Sequence, residues 1–122
     1  MGENKQYVTQ NQDNGAVMIS ENVIATIIIQ AITEVEGVVG LSVKPGADIA
    51  ELIGKRTWGK GLKVTILADE TLDIECNIVV EYAQNVVTVA QAVQEAVINA
   101  VESTSSVKVN TVNVNVSGIE RR

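Results

Sequence analysis

The chain has no histidine, no phenylalanine, one cysteine and one proline. Each shortage removes a class of chemistry. Without imidazole there is no side chain that titrates unperturbed near neutral pH, and the commonest metal ligand is missing. A lone cysteine, Cys76, makes no internal disulfide, which fits a reducing compartment. One tryptophan and two tyrosines leave an apolar set made almost wholly of Val, Ile, Ala and Leu. Such residues suit a sheet covered by helices and offer little aromatic surface for a small-molecule pocket. Basic residues are outnumbered, nine against 15 acidic, for a net charge of −6. That balance disfavours nucleic-acid backbones and anionic lipid. Long apolar runs are also absent. The most apolar helical stretch holds Thr26 and Gln30 and spans about sixteen residues, short of the ~20 that cross a bilayer. Residues 1–15 carry no signal-peptide pattern, and Gln6 stands where myristoylation wants Ser or Thr. The expectation is a cytoplasmic protein with no direct membrane insertion, reaching the membrane, if at all, through a partner.

What the chain does have is alternation. Leu72, Ile74, Cys76, Ile78, Val80 and Tyr82 are apolar, with Asp73, Glu75, Asn77 and Glu81 between them. Period two over this length predicts one long strand with a core face and a wetter face. After Ala83-Gln84-Asn85 the period changes: Val86, Val89, Ala90, Val93, Val97, Ala100 and Val101 fall at helical spacing. A helix should fold back over the strand.

The remaining segments are placed against this unit. Residues 1–14 are polar and predict a disordered tail, residues 15–119 a single domain, and residues 120–122 a second tail. Ala16 to Ile19 reads as a short strand. Ser20 reads as the N-cap of a helix running to about Glu36, with Glu21 in its first turn. Its stripe is Ile24, Ile27, Ile28, Ala31, Ile32 and Val35, widened by Val23 and Ala25. Gly37 stops it. Val38 to Val43 predicts a strand with Val39, Leu41 and Val43 on one face. Lys44-Pro45-Gly46 is a turn, Ala47 to Gly54 a short helix, and Lys55 to Gly61 a Gly-rich basic loop. Leu62 to Ala68 alternates again, and Asp69-Glu70-Thr71 turns it into the long strand as an antiparallel hairpin. In the last strand the alternation slips near Asn110-Thr111. That slip reads as a β-bulge, or as a helix exit continuing to Asn110.

The fold class expected is therefore α/β of the α+β type. It is a two-layer sandwich in which two helices cover one face of a mixed, mainly antiparallel sheet, in the order β-α-β-β-β-α-β. The opposite face carries Lys63, Thr65, Asp73, Glu75, Asn77, Glu81, Asn113 and Asn115 and should meet water. A ferredoxin-like βαββαβ arrangement is the runner-up.

Catalytic machinery is hard to assemble from these residues. Cys76 alternates with Ile74 and Ile78 and so points to the core as a small hydrophobe. Asp69, Glu70 and Asp73 lie in and beside a hairpin turn without the design of a cation loop. Ser103 to Ser106 has no neighbouring base. No catalytic residue, cofactor, metal or small-molecule substrate is expected. Two features suit partner binding instead. Lys55, Arg56, Lys60 and Lys63 are four of nine basic residues, with Trp58 and three glycines among them. The loop could grip an acidic partner or a phosphate, or simply pack Trp58 on the sheet edge. Ile29 falls toward the polar side of its helix, as a subunit contact or a flank packed under a loop.

In order along the chain stand Gly15-x-Val17-x-Ile19-Ser20-x-x-Val23-Ile24-Ala25, Glu34-Val35-Glu36-Gly37-Val38-Val39-Gly40-Leu41 and Lys60-Gly61-x-Lys63-Val64. Then follow Ile78-Val79-Val80-Glu81-Tyr82, Val89-Ala90-Gln91-x-Val93-Gln94-Glu95 and Val112-Asn113-Val114-x-Val116-x-Gly118-Ile119. This succession resembles the alkaline shock protein family, also called the Gls type, small envelope stress response proteins of mostly Gram-positive bacteria. The resemblance covers about Gly15 to Ile119. It implies a cytosolic, non-enzymatic protein of cell-envelope homeostasis that associates with itself and with a membrane-anchored member of the same family. It brings no catalytic residues. The chain departs from the family pattern where Asn85-Val86-Val87 lacks a proline, where Ser105-Ser106 replaces a Gly-containing turn, and where Asn115 replaces a histidine. The alternative reading is a small KH-like nucleic-acid-binding module using the basic loop 55–63, against which the acidic balance weighs.

Overall fold

Eight elements follow one another in the computed structural model, which describes residues 7–42 and 61–121. They are β1 (Tyr7–Gln12), β2 (Gly15–Ser20), α1 (Glu21–Thr33), β3 (Val38–Leu41), β4 (Leu62–Ile66), β5 (Leu72–Glu81), α2 (Val86–Ser105) and β6 (Val109–Glu120).

The long alternating stretch becomes β5, the centre of the main sheet. β6 lies parallel to β5 along its whole length. The other side of β5 is shared: β4 pairs antiparallel with Leu72 to Cys76, and β3 pairs antiparallel with Ile78 to Val80. The two short strands meet end to end at Asn77. Its N–H donates to the Gly61 carbonyl (2.9 Å), and its carbonyl accepts from the Ser42 N–H (3.0 Å). Gly61 has φ +84°, and a Cβ there would collide with the Ser42 backbone, so only glycine lets the chain re-enter the sheet so close to Ser42.

Local chemistry sets the helix ends. Ser20 Oγ accepts from the Val23 N–H (3.3 Å), and Asn85 Oδ1 accepts from the Thr88 N–H (3.0 Å). Each side chain satisfies one donor that the first turn leaves without a partner. α1 ends at Thr33, a turn before the expected Glu36, and Gly37 at φ +95° then reverses the chain. α2 ends where Ser106 takes the left-handed conformation usually given to glycine, its N–H bonded to the Glu102 carbonyl.

Both helices lie on one face of the sheet. Ile24, Ile28 and Ile32 of α1 and Val89, Val93, Val97 and Val101 of α2 are buried against Leu62, Leu72, Ile74, Ile78 and Val80. Each such side chain contributes about 1.5–3 kcal/mol by leaving water. The architecture is the expected two-layer sandwich with two helices over a mixed sheet.

Several details differ from expectation. Tyr7–Gln12, within the stretch expected as a disordered tail, is a strand: it pairs antiparallel with β2 through a two-residue loop at Asp13-Asn14. β2 accordingly belongs to this separate hairpin and not to the main sheet. The hairpin is anchored by Val8, which is fully buried, and by the Thr9 N–H donating to Glu70 Oε1 (2.8 Å). In β3 a register shift between Val38 and Gly40 turns Val38, not Val39, into the core. Val23, expected to widen the α1 stripe, is exposed, as is Tyr82, which lies just past the end of β5. β6 continues through Glu120, one residue into the expected tail. The slip in the last strand is a bulge: Leu72 faces Val109 and Asp73 faces Thr111, leaving Asn110 as the extra residue. Val43, the Pro45 turn, the short helix 47–54 and most of the basic loop fall outside the described residues.

Candidate interaction surface

The face of β5 turned away from the helices carries Asp73, Glu75 and Asn77, and β6 brings amides and hydroxyls alongside. Asp73 Oδ1 accepts from Asn110 Nδ2 (2.9 Å) and Thr111 Oγ1 (2.8 Å). Asn115 Nδ2 donates to Glu75 Oε2 (3.1 Å) and Asn77 Oδ1 (2.9 Å). Ser42 and Ser117 hydroxyls meet at 2.7 Å. The bonds to Asp73, Glu75 and Asn77 staple β6 to β5 across the polar face, and the serine pair ties β6 to the residue after β3. The face is only partly wet. Asn113 and Asn115 are exposed, Lys63, Thr65, Asp73, Glu75 and Glu81 are half-buried, and Asn77 is buried with its Nδ2 finding no hydrogen-bond partner among the described residues.

On the opposite face of β5, Cys76 is fully buried among the core side chains. Burial, with the Glu75 carboxylate adding to it, pushes its thiol up to about 12. A thiol so held is not a thiolate nucleophile. Among the described residues no three of Cys, Asp and Glu cluster to hold a metal. No helix of the described residues is long and apolar enough to cross a membrane.

Of the residues singled out from the sequence, Ile29 and Lys63 are among those described, and they lie on different elements, α1 and β4. Ile29 is half-buried and packs against the core, so it is a flank of α1 and not an exposed apolar contact. Lys63 sits on β4 opposite Glu75 on the polar face. Lys55, Arg56, Trp58 and Lys60 lie outside the described residues. Exposed apolar side chains occur elsewhere. Tyr7, Val17 and Met18 stand on the β1–β2 hairpin, and Val116, Ile119 and Tyr82 line the far end of β5 and β6. The Arg121 guanidinium covers the Tyr82 ring at 4.6 Å from its centroid. Between α1 and α2 runs an open groove of about 580 Å³ whose apolar floor is Ile27, Ala31, Val35, Ala96 and Ala100.

The feature that sequence reasoning missed is the outer edge of β6. Hydrogen bonding assigns its direction. Asn77 bonds toward β3 and β4, so the even-numbered residues of β5 bond toward β6, as Leu72 does to the Lys108 carbonyl (3.1 Å). In a parallel pair such a residue bonds the two neighbours of its opposite number. Cys76 lies opposite Val114 and therefore engages Asn113 and Asn115. The N–H and C=O of Val114 point away from the sheet, and those of Val112 and Val116 do likewise. The Val112 carbonyl shows it directly, accepting from Gln94 Nε2 (3.0 Å) instead of from β5. No strand among the described residues pairs with this edge. From Val109 to Ile119 it carries no charge and no proline, two of the devices that protect an edge, while bulges at Asn110 and Ser117 interrupt it. Its signal was present in the sequence as a valine-rich run at the C-terminal end, but which strand lies outermost is a property of the sheet order.

Comparison with known proteins fits this fold. Residues 9–121 match the pattern of the alkaline shock protein family, described as having a cell envelope-related function. The chain is 33% identical over 106 residues to YqhY of Bacillus subtilis (strain 168), covering 87% of this chain and 78% of that protein. It is 32% identical over 105 residues to Spy1535 of Streptococcus pyogenes serotype M6, covering 86% and 79%. A solved structure titled MamM CTD H264E superposes with a TM-score of 0.50 at 18% identity, over 81% of this chain and 95% of that one, a likeness of fold alone. With a match over nearly every described residue and relatives of this identity, the chain belongs to the alkaline shock protein family, whose function is cell envelope-related.

Proposed function

We propose that the chain is a non-enzymatic protein of cell-envelope homeostasis that works by binding further copies of itself and a membrane-anchored relative. In this reading it is cytoplasmic and reaches the membrane only through that relative. The observation that carries it is the outer edge of β6, twelve residues of strand whose outward N–H and C=O groups are paired with no other strand among the described residues. Such an edge gains hydrogen bonds by accepting another strand, and that gain is available to protein partners rather than to a small substrate. The family's envelope-related function supports the setting. Sedimentation across a concentration series tests self-association. Reversible growth beyond the monomer is expected, and a monomer at every concentration would overturn it. Flotation of the chain with vesicles that carry a membrane-anchored relative, and not with bare vesicles, is the expected result for the second partner.

A further inference from the structure

We propose that two copies of the chain join through β6, antiparallel about a two-fold axis at Val114, so that the sheet continues from one copy into the next. This rests on the reading that the chain self-associates, and it names the surface and the register.

Three features fit that register, and the third separates it from the neighbouring one. The first is backbone direction. Val112, Val114 and Val116 turn their N–H and C=O groups outward, so an antiparallel partner bonds only where these residues face one another. About Val114, each Val114 faces Val114 of the partner subunit and Val112 faces Val116 of the partner subunit. The Gln94 bond to the Val112 carbonyl is compatible, since a carbonyl oxygen has a second lone pair.

The second is side-chain parity. In this pairing the valines of the helix-covered face stay together. On the polar face the exposed Asn113 comes opposite Asn115 of the partner subunit, amide beside amide. Ile119, 56% exposed in the single chain, comes opposite Val109 of the partner subunit. The bulges also agree. The extra residues of β6 are Asn110 and Ser117. Antiparallel pairing about Val114 sets Asn110 within one residue of Ser117 of the partner subunit, so one insertion on each strand offsets the other.

The third is charge, and it makes a second copy the occupant. A body of net charge −6 repels its own copies, but the edge from Val109 to Ile119 is neutral. At its two ends stand Lys108 and Glu120, both exposed. About Val114, Lys108 comes opposite Glu120 of the partner subunit, and the symmetry repeats the pair at the other end. Moving the axis by one residue, to Asn113, sets Lys108 against Gly118 of the partner subunit and loses both pairs.

Cross-linking reads the register. Asn113→Cys and Asn115→Cys chains are prepared separately, mixed under reducing conditions and then mildly oxidised. Opposite residues of a non-hydrogen-bonded pair have Cα atoms about 4.5 Å apart, within disulfide reach, whereas like positions are too distant. The expected result is a disulfide-linked dimer in the mixture and none from either variant alone. The Val114→Cys chain, which leaves the Asn115 bonds intact, is expected to link to itself. Buried Cys76 gives no background in the unsubstituted chain. Lys108→Glu is expected to weaken the dimer about fivefold, and Lys108→Glu with Glu120→Lys to restore it. A dimer by sedimentation that fails to cross-link at these positions would overturn the register while leaving self-association standing. A monomer throughout would overturn both.

Discussion

Cys76 and Asn77 are neighbours on β5 with opposite problems. Cys76 faces the helices and is held as the neutral thiol, first by burial and then by Glu75. Because its folded value is raised from 9.0 to about 12, the folded protein keeps a proton that the unfolded chain gives up at lower pH. The stabilisation is fully present below about pH 9 and is lost as pH climbs toward 12. Over that window this one group makes stability fall by up to about 1.4 kcal/mol per pH unit. Denaturant titrations from pH 8 upward should show a shallower loss in Cys76→Ala than in the unsubstituted chain, although the variant starts lower because of the cavity. Equal slopes would show that Cys76 does not carry the effect. Asn77 is polar and buried, its Oδ1 satisfied by Asn115 and its main chain holding Gly61 and Ser42 together. Alternation placed both residues on the correct sides of the strand. It did not show that Asn77 is sealed from water, because that follows from what surrounds the junction of β3 and β4.

Among the elements, the β1–β2 hairpin tests how much of the structure hangs on a segment that composition assigns to a tail. Val8 is fully buried in the same core cluster as the α1 isoleucines. Val8→Ala should cost about 2 kcal/mol in urea unfolding, by lost burial and the cavity left behind. A disordered tail would give no change. The helices were legible at residue level, since Ser20 caps the first and Gly37 follows it at positive φ, and the period changes from two to helical spacing after Asn85. The central hairpin and the bulge at Asn110 were legible for the same kind of reason, a period of two that breaks at one place. The first hairpin carried its own signal in Asp13-Asn14-Gly15, a turn sequence flanked by Tyr7-Val8-Thr9 and Val17-Met18-Ile19. The surrounding Asn and Gln masked it, because composition averages over the few side chains that reach the core. Of the two readings open for Ile29, its half-buried place against the core matches the packed flank. Helical spacing put it near the polar side, while the chain packed around α1 half-covers it.

For the whole molecule, net charge and sheet edge pull in opposite directions. Two copies at −6 each repel over the Debye length, which shortens from about 30 Å at 0.01 M salt to about 8 Å at 0.15 M. Association through a neutral edge should therefore strengthen on raising salt across this range, read as a lower dissociation constant by sedimentation equilibrium. Binding driven by the basic loop to an anionic partner would show the reverse and weaken with salt. The family to which the chain belongs was already visible in short motifs spread along its length. The β6 edge was not, since it is uncharged backbone whose exposure depends on sheet order, and the basic loop lies mostly outside the described residues.

Periodicity, caps and turn residues by themselves determined which segments are strands and helices and which side of each is apolar, because those properties depend on neighbours a few positions apart. Only the assembled sheet decided that β3 and β4 share one side of β5 and that β6 forms the edge on the other side, because strand order depends on contacts between residues far apart in the chain. Whether a backbone N–H is satisfied or left facing outward is settled at that level, where the place of each strand in the sheet determines which of its groups find a partner.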